Sequence, residues 1–517
     1  MANIRSPGVA VPSAAETALY NMTSPSHSFL PKAQGGSTWL FTTATIVVSL
    51  LLLEQAVYKY KKRHLPGASW TIPIIGKFMD SLHPTLENYM KQWAMGDLSV
   101  VSVFNIFIVM AASNDYSRKI LNTPCAEPAV VNSAKHVLCP ENWVFLNGKA
   151  HVEYRRGLNA LFTRKALGSY VDIQDRIAKE HLQDWVKKGQ TTGKSFPIMM
   201  DARFMNMVTS IRVFCGMYVP DDAIAEISQK YWDITVALEL VNFPLPIPGT
   251  KIYRAIQARK VAFKWLEHAA HESKIAMAAG KTAGCLLDEW CQVLNDPTYK
   301  GRKDFSDREM ALVVFSFLFA SQDAMSSGLT YGFQHLVDHP DVFAKIREEL
   351  DRVVGRDPHA VLTLDLLDQL PYLQAAVKES MRVKPPVTMI PYKTVKPFQI
   401  REDYTVPTGT LLIPTFYNSL HDPDVYPEPE AFKPERWLDP EGSANKNPKN
   451  WIGFGNGAHR CIGQEYALMN IALVLANAVM LADWEHDITE DSFKVKMIAT
   501  LFPADECKIK FTPRAMA

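Results

Sequence analysis

Hydrophobic and polar positions follow helical spacing over most of this chain, and strand-like stretches are few and short. The segment "HPDVFAKIREELDRVVG" predicts a helix that ends at Gly355, and a second helix is predicted over residues 463–481. The β-rich pieces "YTVPTGTLLIP" and "CKIKF" are short, and the first contains Pro and Gly. The pattern predicts a mainly α-helical fold with small β-sheets. The apolar face of the first helix holds Val342, Ile346, Leu350 and Val353.

One apolar run stands apart near the N-terminus. "WLFTTATIVVSLLLL", residues 39–53, carries no charge, and extension to Val57 gives the roughly 20 residues that a spanning helix needs. A cluster of basic residues follows and predicts that the C-terminal side is cytosolic. We therefore expect a lumenal segment at 1–36 and a single transmembrane anchor at 37–57. A cleaved signal peptide and a buried helix are the alternatives. The basic cluster consists of Lys59, Lys61, Lys62, Arg63 and His64.

Beyond the anchor, a basic, Pro- and Gly-containing linker is predicted at 58–70, since Pro66 and Gly67 interrupt helix formation. No internal repeat follows. Residues 71–517 are therefore expected to form one cytosolic catalytic domain.

Composition adds two constraints. The 517 residues carry a net charge of only +1, which gives no reason to expect a nucleic-acid partner. The seven cysteines are scattered and odd in number, which indicates a reducing compartment and disfavours a disulfide scaffold.

The candidate chemistry centres on one cysteine, Cys461 in "WIGFGNGAHRCIGQEYALMN". A dinucleotide-binding loop would follow a buried strand, but a polar, Pro-containing stretch precedes this one. A nucleophile with His459 as base needs unusual geometry, because the two residues are two positions apart. A buried structural cysteine is a further alternative. An axial metal thiolate fits best, because the glycines allow close approach to a flat cofactor and the following helix favours a thiolate. The glycines are Gly455, Gly457 and Gly463.

The segment "FGNGAHRCIG" resembles the haem-binding signature F-x-x-G-x-x-x-C-x-G of the cytochrome P-450 superfamily. The resemblance implies the cytochrome P-450 fold and haem b, iron protoporphyrin IX, with Cys461 as the axial thiolate ligand of the metal. Phe454 would shield the sulfur. His459 and Arg460 would compensate the haem propionates, with His459 where arginine is commonest.

Further motifs follow in the order of that superfamily. "KESMRVKPP" resembles its E-x-x-R helix motif through Glu379 and Arg382, and "FKPERW" supplies Arg436 as the third member of a structural network. His151 and Arg155 match the W-x-x-x-R helix, with His in place of Trp, and imply propionate contacts.

The predicted oxygen-activating helix departs from the family pattern. "LFASQDAMSSG" aligns with [AG]-G-x-[DE]-T-[ST], so Asp323 fills the acid position but Ala324 replaces the usual threonine. Ser326 and Ser327 lie three and four residues after Asp323, and either they or water could complete a proton relay. A purely structural role, facing a neighbouring helix, is the alternative.

Together, "FLFASQDA", "ENWVFLNGKAHVEYRRGLNALFTRKAL" and "IPYKT" resemble fungal sterol C-22 desaturases. That resemblance implies formation of the C22–C23 double bond in ergosterol biosynthesis, electrons from NADPH through a membrane-bound reductase, and residence in the endoplasmic reticulum membrane. A sterol or fatty-acid hydroxylase and a non-oxidative haem-thiolate isomerase or binding protein are the alternatives. The substrate pocket expected by family position comprises Phe319, Ala320, Val387, Met389, Leu501 and Phe502.

Overall fold

The computed structural model describes residues 34–76, 85–129, 132–238, 245–498 and 500–515. Most of the predicted lumenal segment, residues 1–33, therefore lies outside the described residues. The chain divides into two units, one up to Val57 and one from Tyr58 to Ala517.

Helices make up most of the described chain, as the hydrophobic pattern predicts. Between the longer helices lie short 3₁₀ turns, including Trp143–Phe145, Pro434–Trp437 and Gly457–His459. The helices are α1 (Gln34–Lys62), α2 (Leu86–Trp93), α3 (Asn114–Asn122), α4 (Asn132–Leu138), α5 (Gly148–Leu158), α6 (Arg164–Thr192), α7 (Met199–Cys215), α8 (Asp221–Val236), α9 (Lys251–Ala278), α10 (Leu286–Asn295), α11 (Asp307–Asp338), α12 (Pro340–Val353), α13 (Leu364–Leu367), α14 (Pro371–Val383), α15 (Tyr417–Leu420), α16 (Ser443–Lys446) and α17 (Gln464–Leu481).

The described strands form small sheets. The largest has the order β1-β2-β8-β5-β3, with β2 and β8 parallel and the other pairs antiparallel; the others are β4-β12-β9, β10-β11 and β6-β7. The strands are β1 (Leu98–Val103), β2 (Ile106–Ala111), β3 (Ala126–Pro128), β4 (Phe196–Pro197), β5 (Tyr392–Thr394), β6 (Phe398–Arg401), β7 (Tyr404–Val406), β8 (Leu411–Pro414), β9 (Ala482–His486), β10 (Val495–Met497), β11 (Leu501–Pro503) and β12 (Lys508–Pro513).

The predicted class of mainly α with small β-sheets is confirmed. The helix predicted up to Gly355 is α12, and its apolar face buries Val342, Ile346 and Leu350. The β-rich stretches become β7, β8 and β12.

The core is organised around α11 and α17. Helix α11 begins with a capping box in which Ser306 and Glu309 satisfy each other's backbone N–H groups. It packs against α7, α9 and α17, and most of its side chains are buried. Helix α17 packs in turn against α6. The cysteine loop enters directly into α17, so this buried helix fixes where the loop ends.

Three helical stretches are long and apolar enough to cross a membrane, but their burial separates them. Asp307–Asp338 and Gln464–Leu481 are 83% and 72% buried over their apolar windows, whereas Trp39–Lys62 is 6% buried. The first two are therefore core helices. The third has the exposed apolar surface expected of a membrane anchor, and a buried-helix interpretation does not fit it.

Candidate active site

The loop before α17 is shaped by two glycines in left-handed conformations. Gly455 has φ +75° and Gly457 has φ +70°, values that favour glycine over residues with a Cβ. A Cβ on Gly457 would also lie 2.4 Å from the Leu121 carbonyl oxygen. The Cys461 backbone N–H donates to the Phe454 carbonyl oxygen at 2.9 Å, which closes the loop and fixes the cysteine at its end.

Cys461 differs from the other cysteines in its surroundings. All seven lie within the described residues, and Cys461 alone is exposed. Burial raises the pKa of its thiol, while the Gly463 backbone N–H and the charges of Arg155 and Arg460 act to lower that pKa. The residue is thus exposed, and its thiol lies among groups that act to stabilise a thiolate, although burial keeps its pKa above the ordinary value.

Two histidines stack beside the cysteine. The rings of His151 and His459 have centroids 3.9 Å apart, and Arg155 on the same helix as His151 donates to the Arg460 carbonyl oxygen. Burial, together with the charges of His151 and Arg155, lowers the pKa of His459 to about 4. Burial also lowers the pKa of His151, and its Nδ1 atom is buried with no hydrogen-bond partner in the protein.

The positive charges at this site are unbalanced. Among the described residues, the Arg460 guanidinium donates hydrogen bonds only to the neutral Gln464 side chain, at 2.8 and 3.2 Å. Within the described ranges, neither Arg155 nor Arg460 forms an ion pair with a carboxylate. An excess of cationic and unpaired polar groups around an accessible thiol suits an anionic ligand that binds through the sulfur.

Glu379 and the two arginines of the predicted network come together at one point. Arg382 donates two hydrogen bonds of 2.9 Å to the Glu379 carboxylate, and Arg436 Nε donates a third at 2.7 Å. Trp437 Nε1 donates at 2.9 Å. Arg382 also donates to the Leu420, Pro429 and Ala431 carbonyl oxygens, so one helix holds the backbone of the following loop.

An aromatic chain leads from this network to the cysteine loop. The ring of Trp437 meets that of Trp451 at 5.4 Å, and Trp451 meets Phe454 at 6.4 Å. The Lys378 ammonium lies 3.8 Å from the centroid of the Trp437 ring. Packing of these rings connects α14 to the loop that carries Cys461.

Asp323 lies inside the protein near the middle of α11, and two other helices supply its partners. Its carboxylate pairs with Arg203 of α7 and accepts hydrogen bonds of 3.0 and 3.2 Å from the Thr235 hydroxyl of α8. Arg203 also donates to Thr235 at 3.0 Å and stacks on Trp232. A single acid therefore ties together three helices.

Ser326 and Ser327 are fully buried on the same helix. The Ser326 hydroxyl donates to the Gln322 carbonyl oxygen one turn earlier, and the Ser327 hydroxyl donates to the Leu501 carbonyl oxygen of β11. Both donors are therefore used in backbone contacts. A proton relay through these hydroxyls stays a prediction.

Comparison with known proteins decides the family. The family model "Cytochrome P450" matches residues 69–511. This chain belongs to the cytochrome P450 family. It is 39% identical to the C-22 sterol desaturase ERG5A of Gibberella zeae, over 92% of each chain, and 40% identical to the C-22 sterol desaturase ERG5 of Saccharomyces cerevisiae, over 92% of this chain and 90% of the relative. The solved structure of retinoic acid bound cyanobacterial CYP120A1 shares the fold, with a TM-score of 0.76, 21% identity, and coverage of 87% of this chain and 99% of that chain.

Membership of the P450 family implies a haem-thiolate cofactor, and the residues present fit one. Cys461 is an accessible sulfur donor, and Arg155, Arg460 and the unpartnered His151 Nδ1 suit the anionic edge of a haem. Close to a carboxylate, the lowered pKa of His459 would rise again, because an opposite charge favours the protonated ring.

The central helix of this P450 has one accessible face. Phe319, Ala320 and Ala324 are accessible within a helix that is otherwise mostly buried, and all three are apolar. Val387 and Met389 are likewise partly accessible. An apolar ligand is the chemistry that such a lining favours.

Leu501 and Phe502 are placed differently from the other expected pocket residues. Their side chains are 1% and 0% exposed, and both lie in β11, which pairs with β10. Their part in the pocket stays a prediction.

Several residues of the site were not predicted from the sequence. Arg203 and Thr235, the partners of Asp323, lie 120 and 88 residues away from it, and no local pattern marks them. Trp437 could have been found, since it directly follows Arg436 in the quoted motif. Trp143 stacks on His151 at 6.0 Å and extends the ring stack beside Cys461.

Proposed function

We propose that this P450 is a sterol C-22 desaturase that introduces the C22–C23 side-chain double bond in ergosterol biosynthesis. The observation that carries the proposal is an exposed cysteine in a haem-binding signature loop, on a chain about 40% identical to proteins named C-22 sterol desaturase. The accessible apolar face of α11 agrees with a lipid substrate.

Haem b bound through Cys461 would activate dioxygen for removal of hydrogen from an unactivated carbon. The protein's own groups would do the rest. Phe319, Ala320 and Ala324 would hold the apolar side chain of the sterol and exclude water, so that two neighbouring hydrogens are lost and no hydroxyl is added. Val387, Met389, Leu501 and Phe502 complete the proposed pocket.

The remaining site residues would hold the cofactor or position protons. We propose that Asp323, Ser326 and Ser327 organise the proton supply along α11, and that Arg155, His151, His459 and Arg460 hold the propionates. Phe454 and the loop glycines would cover the thiolate, and the network of Glu379, Arg382 and Arg436 would keep the loop in place.

We further propose that electrons reach the haem from NADPH through a membrane-bound reductase. Helix α1 would cross the endoplasmic reticulum membrane once, between a lumenal N-terminal segment and a cytosolic catalytic domain. The exposed apolar surface of this helix and the basic cluster after it support this arrangement.

The test is the product formed by the purified protein with a fungal P450 reductase, NADPH and a sterol whose C22–C23 bond is saturated. We expect a product lighter than the substrate by two hydrogens. A product heavier by one oxygen would establish a hydroxylase instead.

Two cysteine variants serve as matched controls. Cys461→Ser should abolish both the thiolate-type carbon-monoxide spectrum and the product. Cys125→Ser, at a partly exposed cysteine far from the proposed ligand in sequence, should leave both unchanged. Retained product formation by Cys461→Ser would contradict the proposed ligand.

A further inference from the structure

Six polar side chains are buried where α6, α7, α11 and α17 pack together. Such helix crossings are usually filled by apolar side chains, so a group of this size in one core calls for an explanation. We call these residues the polar cluster: Gln174, Asn206, Ser210, Ser321, Tyr466 and Asn470.

Direct contacts join its members across the helices. The Ser210 and Ser321 hydroxyls lie 3.1 Å apart, and Asn206 Nδ2 donates to the Ser321 carbonyl oxygen at 3.3 Å. Burial raises the pKa of Tyr466, and the nearby Gln174 and Ser210 side chains act to lower it, so both lie close to the phenol without forming a direct hydrogen bond to it. Asn470 lies one turn after Tyr466, on the same face of α17.

The polar cluster is incompletely paired within the protein. The buried atoms that have no hydrogen-bond partner in the described chain include Gln174 Nε2 and Oε1, Asn206 Oδ1, Tyr466 OH and Asn470 Nδ2. Unpaired buried donors and acceptors are costly, and proteins normally satisfy a polar group of this kind with ordered water. Because donors and acceptors occur together, bridging water has partners of both kinds here.

Beside the cluster, α6 also carries an ion pair that reaches a partly exposed side chain. Next to Gln174 on α6, Asp175 accepts a hydrogen bond of 2.9 Å from Asn477, whose Oδ1 atom is buried and unpartnered. Asp175 also pairs at 2.6 Å with Lys179, and the Lys179 side chain is 13% exposed. The Asp175–Lys179 pair therefore links a buried amide of α17 to a partly exposed side chain of α6.

One end of the polar cluster lies on the oxygen-activating helix. Ser321 directly follows the accessible Ala320 and lies two residues before Asp323. The hydroxyl expected at position 324 is replaced by the methyl group of Ala324. The Ser321 hydroxyl, which donates to the Leu318 carbonyl oxygen and lies 3.1 Å from the Ser210 hydroxyl, is thus close to the position where the usual one is missing.

We propose that water molecules bridge the polar cluster and that the path from Gln174 through Tyr466 and Ser210 to Ser321 supplies protons to the accessible face of α11. This inference rests on the proposed oxidative function. In that reaction the sterol loses two hydrogens, and dioxygen takes up those hydrogens, two electrons from the reductase and two protons from solvent to give two molecules of water. The path would deliver these two protons.

The first test is a high-resolution crystal structure of the haem-loaded protein. We expect ordered water within hydrogen-bond distance of Gln174 and Tyr466. A polar cluster without ordered water, in which the side chains instead form hydrogen bonds directly with one another, would overturn the proposal whatever reaction the protein catalyses.

The second test compares Tyr466→Phe with Tyr170→Phe. Both remove one buried phenol hydroxyl from the same helical core, but the Tyr170 hydroxyl already donates to the Leu161 carbonyl oxygen at 3.1 Å. We expect Tyr466→Phe to raise the peroxide released per NADPH consumed by roughly tenfold, a modest part of what positioned proton transfer contributes. Its haem content and carbon-monoxide spectrum should match those of the unchanged protein, and Tyr170→Phe should alter none of these quantities.

Equal peroxide yields from both variants would overturn the path. Ser210→Ala provides a second break in the path if Tyr466→Phe does not fold, with the same expected rise. Peroxide and NADPH are measured whatever the sterol product is, so a hydroxylated product would refute the proposed desaturase while the path is still tested.

Discussion

Glu379 is a fully buried carboxylate whose two oxygens are shared among several donors. They accept from the Arg382 and Arg436 guanidinium groups, the Trp437 indole and the Lys433 backbone N–H. The negative charge compensates two arginines, one of which is itself fully buried. A buried ion pair of this kind adds little net stability to the fold. Removal of the carboxylate is nevertheless costly, because it leaves the buried arginine charges unpaired.

We predict that Glu379→Gln lowers the free energy of unfolding by about 3–5 kcal/mol, because the amide NH₂ faces donors and the arginines lose their counter-charge. Denaturant unfolding and the fraction of protein that retains haem would measure this. Glu435→Gln is the control, since Glu435 forms an exposed pair with Lys345, and should cost less than about 1 kcal/mol. Similar losses in both variants would contradict the role given to burial.

The ion pair of Asp323 and Arg203 allows a sharper test, because both side chains are buried. We predict that Arg203→Met, which leaves the carboxylate without its charged partner, costs about 3–5 kcal/mol of unfolding free energy. Adding Asp323→Leu to Arg203→Met should recover much of that loss, since no unpaired charge remains. A double-mutant cycle followed by denaturant unfolding measures the coupling. Additive effects of the two changes would show that the pair is not coupled.

At the scale of elements, the packing of α11 against α17 involves two glycines. A Cβ on Gly328 would lie 2.9 Å from Ile471 Cδ1, and one on Gly332 would lie 2.9 Å from Leu475 Cδ1. A side chain on α11 at either position would therefore require the buried Ile471 or Leu475 side chain to shift. The crossing matters for the site because α17 carries the end of the cysteine loop.

We predict that Gly328→Ala is destabilising although alanine is the better helix former by about 1 kcal/mol. Crowding in a packed core costs about 1–3 kcal/mol, which outweighs that gain. Ile471→Val removes the crowding Cδ1 atom and should restore stability to Gly328→Ala. Gly168→Ala in α6, where no atom lies within 4 Å of the new Cβ, should instead stabilise by about 0.5–1 kcal/mol. The thermal unfolding midpoints of the four proteins decide between these outcomes.

How much of the structure the sequence predicts also differs from one element to another. The cysteine loop and the E-x-x-R helix are local patterns, because fixed spacings place Gly457, Cys461, Glu379 and Arg382 whatever the rest of the chain does. The salt bridge of Asp323 joins helices whose contact depends on the packed fold, so no spacing predicts it. The serines follow Asp323 at helical spacing, but the sequence could not show that backbone carbonyls take both hydroxyls.

At the scale of the whole molecule, burial separates a membrane anchor from a core helix where composition alone does not. Helix α1 and the core helix α11 are both apolar enough to span a membrane, and only the packing of the fold separates an anchor from a core element.

Packing also changes the boundary of the segment that was predicted as a linker. Tyr58 and Leu65 are 6% and 0% exposed and belong to the core that includes Phe107. We therefore propose that the folded domain begins at Tyr58, earlier than the predicted boundary at residue 71.

Two truncations test this boundary. Removal of residues 1–57 should give a folded, haem-binding protein that no longer pellets with membranes as an integral protein does, because Tyr58–Ala517 retains its whole core. Removal of residues 1–70 should lower the thermal midpoint clearly below that of the first truncation. The second cut deletes Tyr58 and Leu65 and also the Lys61 carbonyl oxygen that accepts the Tyr404 hydroxyl at 2.8 Å. Burial of two large apolar side chains stabilises by about 3–6 kcal/mol, so the difference should be easily measured. Equal midpoints would place the domain boundary at residue 71.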